Sequence, residues 1–230
     1  MQRYFLTNKS NQITGQDAHH ITKVMRMKTG DQVIVCYAKR CFLSSLRIDE
    51  EGVFFEEKEE LKAVHSPEIT LIQGLPKHPK NEMVCKYATI FGVTSIIFIP
   101  MMRSIAKLDN EANKQKRLES IAKEAAELAH RFDIPSIRYE PSLKHIPWQH
   151  FDHILLADEN EKTRTLEQVL PNVDRLMKIA IIIGPEGGIA DQEREYFTSL
   201  NVSSVSLGKH IIPTELAALY ALSYLSIKNT

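Results

Sequence analysis

From Ile69 onward the chain alternates short, uninterrupted apolar runs with stretches of helical periodicity. The runs at residues 69–73, 95–99, 153–157, 179–183 and 204–207 have strand length, and most are too apolar to face water on either side. Between them, apolar residues recur every three or four positions. The clearest case is residues 111–132, where Leu118, Ile121, Ala122, Ala125, Leu128, Ala129 and Phe132 share one face while Lys114, Lys116, Arg117, Lys123, Glu124 and Glu127 take the others. Such alternation predicts an α/β domain with a mainly parallel sheet.

The preceding residues have a different texture. Short strands are predicted at 3–6, 32–37, 41–48 and 53–56, with turns at Thr29-Gly30-Asp31 and Glu50-Glu51-Gly52. One helix interrupts them, beginning at Asp17 as N-cap and reaching about Met27. A small β-barrel or sandwich follows from this pattern, and the change of texture near residues 64–67 divides the chain into domains 1–66 and 67–230. Two more helices are expected in the second domain, at 81–91, ending before Gly92, and from Thr214 to the carboxyl end. The last is apolar nearly all round and is predicted to contribute to a homodimer interface.

The 230 residues carry 29 Lys plus Arg and 29 Asp plus Glu, so no net field advertises a polyanionic partner. The distribution is uneven. Arg3, Lys9, Lys23, Arg26, Lys28, Lys39, Arg40 and Arg47 face only Asp17 and Asp31 in the first 47 residues, which marks a candidate basic patch, whereas residues 48–60 are strongly acidic. Cys36, Cys41 and Cys85 form no CxxC pair, which argues against a zinc site and a secreted disulfide framework. No apolar stretch approaches membrane-span length, and the polar start MQRYFLTNKS does not read as a signal peptide. A cytosolic protein is expected.

Chemistry is expected at Gly184-Pro185-Glu186-Gly187-Gly188, directly after the buried run 179–183. Glycines at a strand's carboxyl end let backbone approach a ligand, and open α/β sheets bind ligands there. The helix expected at 191–200 offers free amides at its start. The loop lacks both a P-loop Lys-Ser/Thr and a GxGxxG, so nucleoside triphosphate and dinucleotide readings are weak. A second strand and glycine, Ser204 to Gly208, precede the terminal helix and place another loop beside the first.

The segments Lys77-His78-Pro79-Lys80-Asn81-Glu82, Ala88-Thr89-Ile90-Phe91-Gly92-Val93, Arg103-Ser104, Glu124-Ala125-Ala126-Glu127, Ile134-Pro135, Gly184 to Gly188 and Leu207-Gly208-Lys209-His210-Ile211-Ile212-Pro213-Thr214-Glu215 together resemble the ribosomal RNA small subunit methyltransferase E family. Arg3-Tyr4-Phe5, His19-His20 and Val24-Met25-Arg26 resemble its N-terminal RNA-binding domain. The resemblance implies a PUA-like β-barrel followed by a SPOUT-type α/β domain with a deep trefoil knot. It also implies S-adenosylmethionine as methyl donor, a homodimer, no metal, and methylation of uracil N3 of a uridine in 16S rRNA. Two arginines of the family pattern are replaced here by His210 and Pro213.

On this basis the donor is expected at Gly184, Pro185, Glu186, Gly187, Leu207, Gly208, Ile211 and Ile212. Uracil N3 carries a proton at neutral pH, so Arg103 is expected to stabilise the anion and Glu186 or Glu215 to act as base. RNA contacts are expected from Arg3, Lys23, Arg26, Lys28, Lys77 and Lys80. His19 and His20, early in a helix, read as one packed and one exposed residue, or as bases' stacking partners. A methyltransferase acting on a ribose 2′-hydroxyl and a non-catalytic RNA-binding or ligand-sensing module of the same fold remain as alternatives.

Overall fold

In the computed structural model, which describes residues 1–63 and 66–228, the N-terminal region forms five strands. These are β1 (Arg3–Phe5), β2 (Gln12–Ile13), β3 (Gln32–Tyr37), β4 (Arg40–Asp49) and β5 (Gly52–Glu60); helix α1 (Gly15–His19) and a π-helical turn over His20–Val24 lie between β2 and β3. They make one sheet in the order β1-β3-β4-β5-β2, with only the β1–β3 pair parallel. Tyr4, Ile13, Val33, Val35, Leu46, Val53 and Phe55, drawn from all five strands, share one core with Ile21. A single interior lined by every strand is the arrangement of a barrel wall.

Two details differ from the sequence reading. The helix starts at Gly15 with Thr14 at the N-cap, and Asp17 lies in the first turn, where its charge meets the free amides. Cys36 and Cys41, whose spacing gave no sign of pairing, are register partners across β3 and β4 and are joined by a disulfide, while Cys85 is free and buried. A tight hairpin brings close what a spacing rule treats as unrelated.

The second region contains β6 (Glu68–Gly74), α2 (Lys80–Ile90), β7 (Ser95–Ile99), α3 (Glu111–Leu128), β8 (Ser136–Tyr139), β9 (His153–Ala157), α4 (Leu166–Val169), β10 (Lys178–Ile183), α5 (Asp191–Ser199), β11 (Ser203–Val205) and α6 (Thr214–Lys228). Its six strands follow the order β11-β9-β10-β6-β7-β8, and every pair is parallel. Residues 179–183 in β10 are at most 2% exposed, as a strand covered on both faces requires. Ile72, Ile97, Ile99, Leu156, Ala180 and Ile182 pack with Trp148 and with Phe197 of α5. α6 buries Ala217, Ala218, Ala221, Leu222 and Leu225 while packing on α2 and β10, but leaves Leu216, Tyr220 and Ile227 exposed.

The chain divides into two compact units, Met1–Val64 with Ala126–Ile134, and His65–Ala125 with Pro135–Thr230. The change of texture predicts one cut after residue 66; Val64 and His65, at the start of that expected boundary, lie outside the described residues. Residues 126–134 join the first unit through specific contacts. The Arg3 guanidinium donates to the Arg131 carbonyl and lies 5.2 Å from the centre of the Phe132 ring, and Phe132 packs on Ile34, Cys36 and Cys41.

Candidate active site

The carboxyl ends of β9 and β10 and the segment between β11 and α6 enclose a cleft of about 440 Å³. Its walls are residues 157–162, 183–188 and 206–214, the position at which open parallel sheets bind ligands. Gly184, Pro185, Glu186, Gly187, Leu207, Gly208, Ile211 and Ile212, expected as a binding set, all line it. Ile211 is 77% exposed, an apolar side chain standing open at the wall.

The glycines are required for more than ligand approach. A Cβ on Gly187 would lie 2.7 Å from the Arg103 carbonyl oxygen, and one on Gly188, where φ is 72°, would collide with the Glu159 carboxylate. Arg103 itself is exposed and does not line the cleft; its guanidinium donates to the Gly187 carbonyl at 3.4 Å. Arg103 and the cleft loop are thus neighbours through Gly187.

Lys80, expected on an RNA track, lines the cleft. Its ammonium lies 3.4 Å from Glu186 Oε1 and 3.0 Å from Glu215 Oε2, and the bond to Glu215 raises its pKa against the effect of desolvation. Burial works against ionisation of Glu186, but the amides of Glu186 and Lys77 and the Lys80 charge outweigh it and hold that carboxyl below the usual range. Both carboxylates considered as bases therefore face one cation.

Three acids were missed by the sequence reading. Asp158, Glu159 and Glu161 line the cleft just beyond β9. Arg194 of α5 donates to both oxygens of Asp158 at 3.0–3.2 Å and to Glu159 Oε1 at 2.8 Å, and Glu159 Oε1 also accepts the Ile189 amide at 3.1 Å. Amides of Thr163 and Arg164 and the Thr163 hydroxyl pull the Glu161 pKa down to about 2. Their position directly after the apolar run 153–157 was the available signal, the same one that identified the glycine loop. With Glu186, these acids outnumber Lys80 and Lys162, the lysines that line the cleft, and even with Arg194 counted against Asp158 and Glu159 a small surplus of negative charge remains, which favours a cationic ligand.

In the N-terminal unit, Lys23, Arg26 and Lys28 are exposed on the turn that follows α1, beside the exposed apolar side chains of Val24 and Met25. Arg3 does not belong with them. It is 6% exposed and its guanidinium is held inside by Arg131 and Phe132, so a phosphate contact there is not available. Lys77 is exposed. His20 is packed, with Nδ1 3.0 Å from the Tyr4 hydroxyl, and His19 is exposed. Among the described residues, no group of three or more His, Cys, Asp or Glu is placed to hold a metal ion, and no helix is long and apolar enough to cross a membrane.

Known proteins share both parts of this architecture. The RNA methyltransferase domain family matches residues 64–226, and the RNA methyltransferase PUA domain family matches residues 13–40. Ribosomal RNA small subunit methyltransferase E of Bacillus subtilis (strain 168) is 34% identical over 249 aligned positions, covering 100% of this chain and 97% of its own. The protein of that name from Rickettsia conorii is 28% identical over 89% of this chain and 84% of its own. Among solved structures, a methyltransferase from Legionella pneumophila in complex with the cofactor SAM has a TM-score of 0.83 at 24% identity, covering 98% of this chain and 96% of its own. Ribosomal RNA small subunit methyltransferase E of Neisseria gonorrhoeae bound to S-adenosyl methionine has a TM-score of 0.80 at 21% identity, covering 99% and 97%. These two share the fold. With a full-length relative above 30% identity and a domain match over most of its residues, the chain belongs to the ribosomal RNA small subunit methyltransferase E family.

Proposed function

We propose that this chain is an S-adenosylmethionine-dependent methyltransferase that methylates N3 of a uridine in 16S rRNA, working in the cytosol as a homodimer. The observation that carries the reading is the cleft itself, where backbone at two glycine loops, apolar side chains and a surplus of carboxylates meet at the ends of parallel strands. Those features fit a donor with a flat apolar base and a cationic sulfonium. Leu207, Ile211 and Ile212 would flank the adenine, main-chain groups of Gly184, Pro185, Gly187 and Gly208 would bind its edge, and Asp158, Glu159, Glu161 and Glu186 would favour the positive charge. Bound there, S-adenosylmethionine supplies an activated methyl group.

The remaining chemistry falls to side chains. Arg103, on the outer side of Gly187, stabilises charge on a uracil carbonyl oxygen as the N3 proton leaves. Glu186 or Glu215 accepts that proton; Lys80 lies against both carboxylates and helps keep Glu186 ionised, the state an acceptor needs, while lowering its basicity. Lys23, Arg26, Lys28 and Lys77 neutralise phosphates and position the RNA without reading its sequence. The exposed Leu216, Tyr220 and Ile227 on α6 form part of the face that a second copy covers.

Treatment of small-subunit rRNA with the protein and methyl-labelled donor, followed by nucleoside analysis, tests the assignment. Label in 3-methyluridine is expected. Label in a ribose-methylated nucleoside would replace uracil N3 by a 2′-hydroxyl as target, and absence of donor binding in calorimetry would leave a non-catalytic module of the same fold.

A further inference from the structure

Gln73 is a polar residue in the middle of the parallel sheet, fully buried, paired in register with Ile183 of β10 on one side and Phe98 of β7 on the other. The flanking positions on these strands are apolar, and local packing gives no reason for an amide. Its Nε2 donates to Thr214 Oγ1 at 2.8 Å, to the Gly74 carbonyl at 3.0 Å and to the Gly184 carbonyl at 3.4 Å. The Thr214 hydroxyl in turn donates to the Gly184 carbonyl. Three acceptors around one end fix the orientation of the amide. The other end, Oε1, is buried without a hydrogen-bond partner, an arrangement that costs stability.

What the amide joins explains why it is kept. Gly184 begins the loop after β10 and Thr214 begins α6, so the bonds tie together two of the walls of the cleft from beneath. The same strand end carries Gly74, where a Cβ would lie 2.6 Å from the ring of Pro185, so the loop also rests directly on β6. We propose that Gln73 is a positioning residue for the methyl-donor cleft, setting the gap between the 184–188 loop and the start of α6 through Thr214. The inference rests on the donor reading of the cleft given above.

Calorimetric titration of S-adenosylmethionine into the full chain, paired with thermal unfolding of the unliganded protein, tests it. Gln73→Leu is expected to weaken donor binding about tenfold, with little change in the unliganded melting temperature, because removal of the orphan carbonyl offsets the cost of leaving the Gly74 carbonyl and the Thr214 hydroxyl without their amide donor. Thr214→Ser keeps the hydroxyl and is expected to bind as the wild type, whereas Thr214→Val loses affinity as Gln73→Leu does. The double variant Gln73→Leu/Thr214→Val is expected to be no worse than either single one, since both break one network. Wild-type affinity in Gln73→Leu overturns the proposal, and so does a loss matched by a fall in melting temperature. Should Gln73→Leu fail to fold, the Thr214 pair decides, and equal affinity of the Ser and Val variants overturns it. A wild-type chain that binds no donor overturns the reading of the cleft instead, and this role with it.

Discussion

A Cβ on Gly187 would stand 2.7 Å from the carbonyl oxygen and 2.8 Å from the Cβ of Arg103, and backbone cannot give way as the tip of a long side chain can. Gly187→Ala should therefore displace Arg103 relative to the cleft. Because misplacement of about 1 Å costs about 100-fold in rate, kcat/KM should fall by about that factor while the fold is retained, as kinetics with circular dichroism would report. Three glycines within five residues are visible in the sequence, and so is their place at the end of a buried strand, where they line the cleft. That the Arg103 backbone dictates Gly187 is not visible there, because the contact joins distant parts of the chain and leaves no local pattern, whereas Gly188 is set by its φ of 72°. Glu186 gives a pH prediction. Its folded-state pKa is lowered, so its ionised form contributes stability above the ordinary carboxylate pKa, and that contribution is lost as pH falls through the lowered one. The melting temperature of the wild type should exceed that of Glu186→Gln at neutral pH, and the gap should close on acidification below the normal carboxylate range. A gap that persists in acid would show that charge is not its source.

At the scale of elements, the apolar runs were a dependable guide. Residues 95–99 and 153–157 form strands over those same residues, since a central parallel strand must be apolar on both faces, and β3 of the mixed N-terminal sheet fills 32–37 as expected. β2, with two residues, and β8, whose Ser136 and Arg138 break the apolar run, lacked that signal. The link from β9 to α5 through Asp158 and Arg194 was likewise invisible, being a pairing of residues 36 apart. Asp158 is 8% exposed, so Arg194→Met should leave its charge buried and unpaired, costing about 3 kcal/mol. For a chain of this size that is a fall of roughly 6–12 °C in melting temperature, and Asp158→Leu added to Arg194→Met should recover part of it. The turn after α1 makes a different prediction. Replacing Arg26 and Lys28 with Ala removes two exposed cations and should reduce the slope of log affinity for single-stranded RNA against log salt by about 1.4, with donor affinity unchanged. An identical slope would exclude this turn from the interface.

Across the whole molecule, the texture change near residue 66 divides the chain less cleanly than it suggested, because residues 126–134 return to the N-terminal unit. No composition shift marks that return; it depends on Phe132 finding Ile34, Cys36 and Cys41, and on the Arg131 carbonyl meeting the buried Arg3 guanidinium. A fragment of residues 1–66 should consequently melt at a lower temperature than the same fragment supplied with a peptide of residues 126–134, measured by circular dichroism. Equal melting curves would remove the segment from that unit's stability. Interleaving also has a temporal side. A polypeptide produced from its amino end has its leading sheet ready early, yet the strap that seals it arrives only with residue 134, after residues 65–125 of the second unit. The first part begun is not the first part finished, and pauses in translation before that point hold Arg3 and its apolar surroundings open to the cell.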